Sequence, residues 1–151
     1  MELEILPYAL TVCKLGTLDR TVLSKEFLFI GKTDEELSLV CRTEDVPSET
    51  LEREDGWRGL RVKGILDFSM VGVLSELTSI LAEAGVGIFA VSTYNTDYIL
   101  FKEKDYKRAI SALGGSGHTI VLKRVTMRAC STNSRTGRTA DRRRMRRTKY
   151  V

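Results

Sequence analysis

Two short segments of this sequence contain the residue types that hold a small charged molecule. The first, DFSMVGV (67–73), offers a carboxylate, a hydroxyl and a glycine. The second, STYNTD (92–97), offers hydroxyls, an amide and a carboxylate in consecutive positions. Backbone amides beside a glycine and at a helix start can bind a carboxylate, and side-chain oxygens can bind an ammonium group. If the fold brings them together, these segments predict a site for a small zwitterion.

Each segment also has a simpler structural interpretation. Gly72 would permit a tight connection between a strand and a helix whether or not a ligand approaches it. Asn95 and Asp97 are typical turn residues, and Ser and Thr are common at turns and on exposed strands. The residues by themselves leave both interpretations open for each segment.

The elements that position these segments are clearest in the second half of the chain. The predicted elements are a strand over 57–63, a helix over 73–84, strands over 87–94 and 97–102, a helix over 106–113 and a strand over 118–122. Leu74, Leu77 and Leu81 recur at helical spacing before Gly85, and Asp105 can cap the second helix. The order βαββαβ predicts an α+β fold, a ferredoxin-like sandwich with two helices on one face of an antiparallel sheet.

The first half predicts a related but less complete module. We expect a strand over 8–15, a short helix within 18–26, a hairpin from 27–30 and 37–42, and a helical turn or coil over 48–55. A shift of 61 residues superposes 28–44 on 89–105 and aligns the two hairpins. We therefore predict a degenerate N-terminal module at 1–56, a complete module at 57–122 and a basic tail at 123–151.

Charge separates this tail from the rest of the chain. Residues 123–151 contain 11 Lys or Arg and one acid, whereas residues 1–122 contain 13 bases and 19 acids. The sequence pI of about 9.0 thus reflects the tail. With few large apolar residues, the tail is predicted to be disordered, and residues 135–149 predict nonspecific contact with nucleic acid. Docking to an acidic partner, or no function, are the alternatives.

Several classes of protein are disfavoured by composition. No apolar run is long enough for a membrane span, and the start Met1-Glu2-Leu3-Glu4 is acidic, so we expect a cytoplasmic protein with no membrane contact. Three separated cysteines do not predict a disulfide scaffold. A single histidine, His118, has no partner at metal-ligand spacing, so we expect no metal, no cofactor and no enzymatic activity.

The segment LRVKGILDFSMVGVLSELTSILAEAGVGIFAVSTYNTDYILFKEKDYKRAISAL (60–113) resembles the ACT domain family, particularly the tandem aspartokinase-type ACT proteins related to the CASTOR arginine sensors. The glycine-led helix start and the STYNTD turn occur in the order of the family. Residues 8–47 are similar to a degenerate first module of such proteins. The tail matches no family, and the 151 residues contain no kinase or other catalytic domain.

The resemblance implies a regulatory protein that binds an amino acid at an interface between ACT modules and forms a homodimer. It implies that the ligand's carboxylate or side chain lies against the first segment and that the second segment completes the pocket. The residues assigned to the pocket are Asp67, Ser69, Met70, Val71, Gly72, Val73, Phe89, Ser92, Thr93, Tyr94, Asn95, Thr96 and Asp97. The alternative function is a nucleic-acid-binding or protein-assembly module that acts through the arginine-rich tail.

A chain that ends at Lys123 tests the role of the tail. We expect thermal unfolding and amino-acid binding to be unchanged, and retention on immobilised nucleic acid at low salt to be lost, because the removed segment carries 10 of the 24 Lys and Arg residues and only one acid. Unfolding of the shortened chain, or loss of amino-acid binding, would place the tail within the folded structure.

Overall fold

Eight strands and three helices make up the described part of the chain, and all eight strands belong to one sheet. The structure, a computed structural model, describes residues 1–66 and 70–124. The elements are β1 (Glu2–Ile5), β2 (Leu10–Lys14), α1 (Arg20–Leu23), β3 (Leu28–Lys32), β4 (Leu37–Arg42), β5 (Glu52–Val62), α2 (Val73–Glu83), β6 (Ile88–Ser92), β7 (Asp97–Lys102), α3 (Tyr106–Gly115) and β8 (Thr119–Leu122). Among these helices none has the length and apolar composition to cross a membrane.

The second half has the predicted order of elements, from β5 through α2, β6, β7 and α3 to β8. Both long helices pack on one face of the sheet, around Phe101, Leu77 and Leu113, which are fully buried. Burying a side chain such as Phe101 stabilises the fold by about 1.5–3 kcal/mol. The α+β, ferredoxin-like fold class is confirmed.

The N-terminal strand β1 was not predicted, and it lies inside the sheet of the second half. It pairs antiparallel with β5 and parallel with β8, so that Leu3 lies beside both Val62 and Ile120. Leu3 and Ile5 are buried in the core between sheet and helices. The alternation of acidic and apolar residues in this strand was present in the sequence, but four residues are a short signal. The predicted four-stranded antiparallel sheet therefore contains a fifth strand.

The prediction of a helical turn or coil over 48–55 holds for residues 48–51 and is wrong for residues 52–55, because β5 begins at Glu52. This part of the strand is exposed and lacks apolar alternation, so no sequence pattern marked it. Backbone pairing with β2 holds it, with Lys14 opposite Glu52. Asp55 accepts hydrogen bonds from the Thr11 hydroxyl and the Arg53 guanidinium, which hold the pKa of its carboxyl below the ordinary value.

The two hairpins repeat with a shift of 60 residues rather than the predicted 61. The β3–β4 and β6–β7 pairs have the same register at this shift, so Phe29 corresponds to Phe89 and Thr33 to Thr93. The turns also match, because the Thr33 amide donates to the Glu36 carbonyl and the Thr93 amide to the Thr96 carbonyl, each at 2.9 Å. The internal repeat thus extends to the hydrogen bonds of the turn.

Asp105 occupies the residue before α3 but does not cap it as predicted. Its side chain makes no hydrogen bond to the helix backbone. The carboxylate instead pairs with Arg108, one turn into the helix. The cap prediction is therefore correct in position and wrong in interaction.

The proposed boundary between the two modules at residues 56 and 57 stays a prediction. Strand β5 is continuous through these two positions. At the other end, the Lys123 amide still donates to the Ile5 carbonyl at 3.0 Å, and residues 125–151 of the predicted tail lie outside the described residues.

The two halves of the sheet pack together through their helix-free faces. The rings of Phe29 on β3 and Tyr98 on β7 have centroids 4.9 Å apart. Strands β4, β2 and β5 lie between β3 and β7 in the sheet, which in a flat sheet would separate them by about 19 Å. The sheet must therefore curl on itself. We call the resulting cluster the aromatic seam; its aromatic members are Tyr8, Phe27, Phe29, Trp57, Phe89 and Tyr98.

The curl occurs where β2 and β5 lose their regular pairing. The register shifts between Leu10 and Val12, and Gly56 on the opposite strand has a φ of 77°. Three residues further, Gly59 lies beneath the fully buried side chains of Leu6 and Leu10. An added Cβ at Gly59 would lie 2.9 Å from the Cδ1 atom of each leucine. Glycine is required here because the seam side chains occupy this space.

We expect Gly59→Ala to lower the free energy of unfolding by about 1–3 kcal/mol, the usual cost of overpacking a filled core. Urea unfolding followed by circular dichroism measures the change. Gly114→Ala is the matched control, since Gly114 lies in α3 with no atom within 4 Å of an added Cβ, and we expect unchanged or slightly higher stability. Equal effects of the two variants would contradict the packing argument.

Candidate functional site

The second predicted segment contacts the end of β5 and Leu66, directly before the first predicted segment, at one end of the sheet. The Leu66 amide donates to the Asn95 carbonyl at 2.7 Å, and the Thr96 hydroxyl donates to the Val62 carbonyl at 2.7 Å. The end of β5, which leads into residues 67–73, therefore lies against the β6–β7 turn. Asp67, Phe68 and Ser69 lie outside the described residues, so the roles assigned to Asp67 and Ser69 stay predictions.

Two threonines hold the β6–β7 turn together by hydrogen bonds. The Thr93 hydroxyl donates to the Thr96 carbonyl at 2.8 Å and accepts the Thr96 amide at 3.3 Å. Thr96 is buried, and its hydroxyl is already used by Val62. These hydrogen bonds stabilise the turn. They give Thr96 a structural role that the sequence did not indicate.

The start of α2 is open to solvent. Met70 is 53% and Val71 95% exposed, and Gly72 precedes the helix with a φ of 87°. No side chain of the described residues caps this helix, so amides of its first turn lack an acceptor from that part of the chain. An added Cβ at Gly72 would meet no atom within 4 Å. The positive φ is enough to explain why a glycine occupies this position, and the open space around it leaves room for a ligand.

Side chains of a strand alternate between the two faces of the sheet, and this alternation determines which of the predicted site residues lie on the face covered by α2. Ser92 and Asp97 are partners in the β6–β7 register. Asp97 lies two and four residues before Ile99 and Phe101, which pack under the helices, so both members of the pair lie on that face. The Asp97 carboxylate forms no hydrogen bond or ion pair with the residues that the structure describes. Ser92, Asp97 and the start of α2 thus lie at one end of the same face.

Phe89 lies elsewhere. Three positions before Ser92, it lies on the helix-free face and belongs to the aromatic seam, where its ring centroid is 6.1 Å from that of Trp57. The structure therefore brings the turn and the helix start together without Phe89. Its predicted part in a ligand pocket stays a prediction.

Two other ionisable groups lie at this end. Lys63, directly after β5, pairs with Glu2, and this hydrogen bond raises the pKa of the lysine above its ordinary value. His118 is buried with Nε2 3.4 Å from Oε1 of Glu76 in the first turn of α2, but neither ring nitrogen has a hydrogen-bond partner within the described chain. Within residues 1–66 and 70–124, no group of three or more His, Cys, Asp or Glu could hold a metal ion.

The equivalent end of the first half contains a cavity of about 660 Å³ between the β2–α1 connection and the β3–β4 turn. Its lining consists of Lys14, Leu15, Gly16, Thr17, Leu18, Ile30, Lys32, Thr33, Asp34, Glu35, Glu36, Leu37 and Leu51. Sequence reasoning missed this cavity. The 60-residue repeat, which places Thr33 in the position of Thr93, was the available signal.

We expect Thr96→Val to lower the free energy of unfolding by about 1–3 kcal/mol, because the Val62 carbonyl would lose its buried donor without a change of side-chain shape. Chemical denaturation measures this. Thr119→Val is the control, since Thr119 is exposed on β8 and its side chain makes no hydrogen bond to the described residues. Similar stability of the two variants would show that the Thr96 bond does not secure the turn.

Comparisons with known proteins agree with this architecture. Residues 52–114 match the family model of the ACT domain, and residues 9–49 match a separate model described as an N-terminal domain. A solved protein from Agobacterium tumefaciens is 28% identical, with a TM-score of 0.74, and the match covers 82% of this chain and 94% of that one. No curated protein sequence matches the chain.

More distant structures share the fold. A protein from Vibrio cholerae, described as of unknown function and a possible transport protein, is 21% identical over 74% of this chain and 86% of its own, with a TM-score of 0.62. The ligand-free regulatory subunit of aspartate kinase from Thermus thermophilus is 10% identical over 73% of this chain and 93% of its own, with a TM-score of 0.52. Residues 52–114 are thus similar to ACT domains, and the chain has the fold of an aspartate kinase regulatory subunit.

Proposed function

We propose that this chain is a regulatory protein that binds a free amino acid at an interface between ACT modules and catalyses no reaction. The observation that supports this most is the hydrogen bond between Leu66 and Asn95, which joins the approach to α2 to the β6–β7 turn. It holds the connection that leads to α2 beside the turn that precedes Asp97, whose carboxylate has no partner among the described residues. Similarity to ACT domains over residues 52–114 supports the same function.

The chemistry of this end suits the two charged groups of an amino acid. The ligand's carboxylate would accept hydrogen bonds from the amides that follow Gly72, which no side chain of the described residues caps and where the helix dipole favours negative charge. The ligand's ammonium would lie against Asp97, which has no cationic partner among the described residues. Ser92 would add a hydroxyl on the same face. The pocket would be completed by another module, in this chain or in the second subunit of a homodimer.

Binding at this end could be transmitted to the rest of the molecule through β5. The Val62 carbonyl, which accepts the Thr96 hydroxyl, ends a strand that pairs with β1, β2 and β7. A ligand bound beside the end of β5 would therefore stabilise strands in both halves. The tandem ACT arrangement and the relationship to the CASTOR sensors belong to this proposal.

A screen of the twenty standard amino acids tests the proposed function. At about 100 times its dissociation constant, a ligand adds about 2.7 kcal/mol to the free energy of unfolding, which thermal unfolding detects easily. We expect at least one amino acid to raise the melting temperature. No shift with any of them at about 10 mM, together with no heat by calorimetry, would contradict the proposal.

The site is tested by Asp97→Asn, which removes the charge and keeps the shape of the side chain. We expect weaker binding of the amino acid found in the screen, with unchanged unfolding. Glu83→Gln, on an exposed position of α2, is the matched control and should bind normally. Gly72→Val is less suitable, because a φ of 87° strains a β-branched residue whether or not a ligand is bound. Normal binding by Asp97→Asn would place the ligand elsewhere.

A further inference from the structure

A second cavity, of about 430 Å³, lies at the edge of the aromatic seam, where the two halves of the sheet face each other. Its lining consists of Val12, Cys13, Lys14, Glu36, Ser38, Glu52, Arg53, Glu54 and Phe89. We call it the seam cavity. Phe89 comes from the second half and all other lining residues come from β2, β4, β5 and the β3–β4 turn. The cavity is separate from the start of α2, because Phe89 lies on the opposite face of the sheet from the helices.

The charged groups of the seam cavity differ in whether they already have partners. Arg53 pairs with Asp55 at 3.0 Å, and Glu54 pairs with Lys102 at 3.1 Å. Glu36 accepts a hydrogen bond from Ser38 at 2.7 Å. Lys14 and Glu52, by contrast, form no side-chain ion pair or hydrogen bond within the described chain. The cavity therefore offers one unpaired ammonium and one unpaired carboxylate.

These two unpaired groups are neighbours. Lys14 on β2 and Glu52 on β5 lie directly opposite each other in the antiparallel register. Partners in such a register have Cα atoms about 4.5–5.5 Å apart and side chains on the same face. An α-amino acid carries its own ammonium and carboxylate on a single carbon. A lysine and a glutamate side by side can bind both groups at once.

Two of the remaining walls are apolar side chains, and the others are the paired polar groups named above. Val12 precedes Lys14 by two residues on the same face of β2, and Phe89 faces it from the other half. Cys13, which lies between Val12 and Lys14 in the strand, also borders the cavity, and burial raises the pKa of its thiol above the ordinary value. An aliphatic or aromatic side chain would find a hydrophobic surface next to the charged pair. The volume lies within the range of cavities that hold small molecules.

We propose that the seam cavity is a second binding site, for an α-amino acid with an apolar side chain. Lys14 binds the ligand's carboxylate, Glu52 binds its ammonium, and Val12 and Phe89 contact its side chain. The proposal shares the ligand class of the proposed function and places the ligand at a different location. Because the walls come from both halves, a ligand in the cavity also stabilises the packing of the two halves against each other.

Leucine and phenylalanine are the probes, titrated into the full chain labelled for amide NMR. We expect shifts at Val12, Ser38 and Phe89, and no such shifts with the N-acetyl or amide derivatives, which lack one charge. Lys14→Met and Glu52→Gln should each weaken binding about tenfold or more. The matched controls, Lys107→Met and Glu83→Gln, lie on exposed positions of α3 and α2 and should leave binding unchanged.

Asp97→Asn separates this proposal from the proposed function. If the probes shift only resonances near Gly72 and Asp97, and Asp97→Asn alone weakens binding, the seam site is wrong and the proposed site stands. If the seam resonances shift and only Lys14→Met and Glu52→Gln weaken binding, the seam site is supported without the proposed site. No shift with either probe up to about 10 mM overturns the seam site, and the screen of twenty amino acids then decides the proposed function independently.

Discussion

Strand β5 is the constraint on which the rest of the structure depends. One of its edges pairs first with β2 and then with β1, and the other edge pairs with β7. A strand hydrogen-bonded on both edges cannot shift its register without breaking several ladders at once. The first half can therefore not be positioned independently of the second. The irregular pairing at Leu10 and Val12 then sets the direction in which the sheet curls.

Because the sheet curls, its two faces are covered by different elements. One face is covered by α2 and α3, and at its end the β6–β7 turn meets the segment after β5. The other face is covered by the opposite half of the sheet and is filled with aromatic side chains. Because successive residues of a strand alternate between faces, Ser92 and Phe89 serve different surfaces although they lie on one short strand.

Much of the fold could be predicted where apolar residues have a clear period. The residues Leu74, Leu77 and Leu81 predicted α2, and the aromatic and β-branched residues of 87–94 predicted β6. The exposed first part of β5 has no such pattern, because backbone pairing and the Thr11–Asp55 hydrogen bond hold it in place. Tertiary pairing of this kind leaves little trace in local sequence.

The candidate site was predictable in part. The residue types of the two polar segments predicted a binding site there. The contact between the turn and the end of β5 depends on the Leu66–Asn95 hydrogen bond, which involves only backbone atoms. Side-chain identity therefore could not reveal that contact. The position of Phe89 was open to prediction, since alternation along β6 separates it from Ser92. The seam cavity was not, because it needs the curl of the whole sheet.

The parallel pairing of β1 with β8 has a consequence for the folding of the chain. Glu2 and Thr119 are 117 residues apart in the sequence, yet they are neighbours in the sheet. Contacts between such distant positions slow folding, because a long loop must close before they form. Strand β1 cannot gain both of its neighbours, β5 and β8, until this loop has closed.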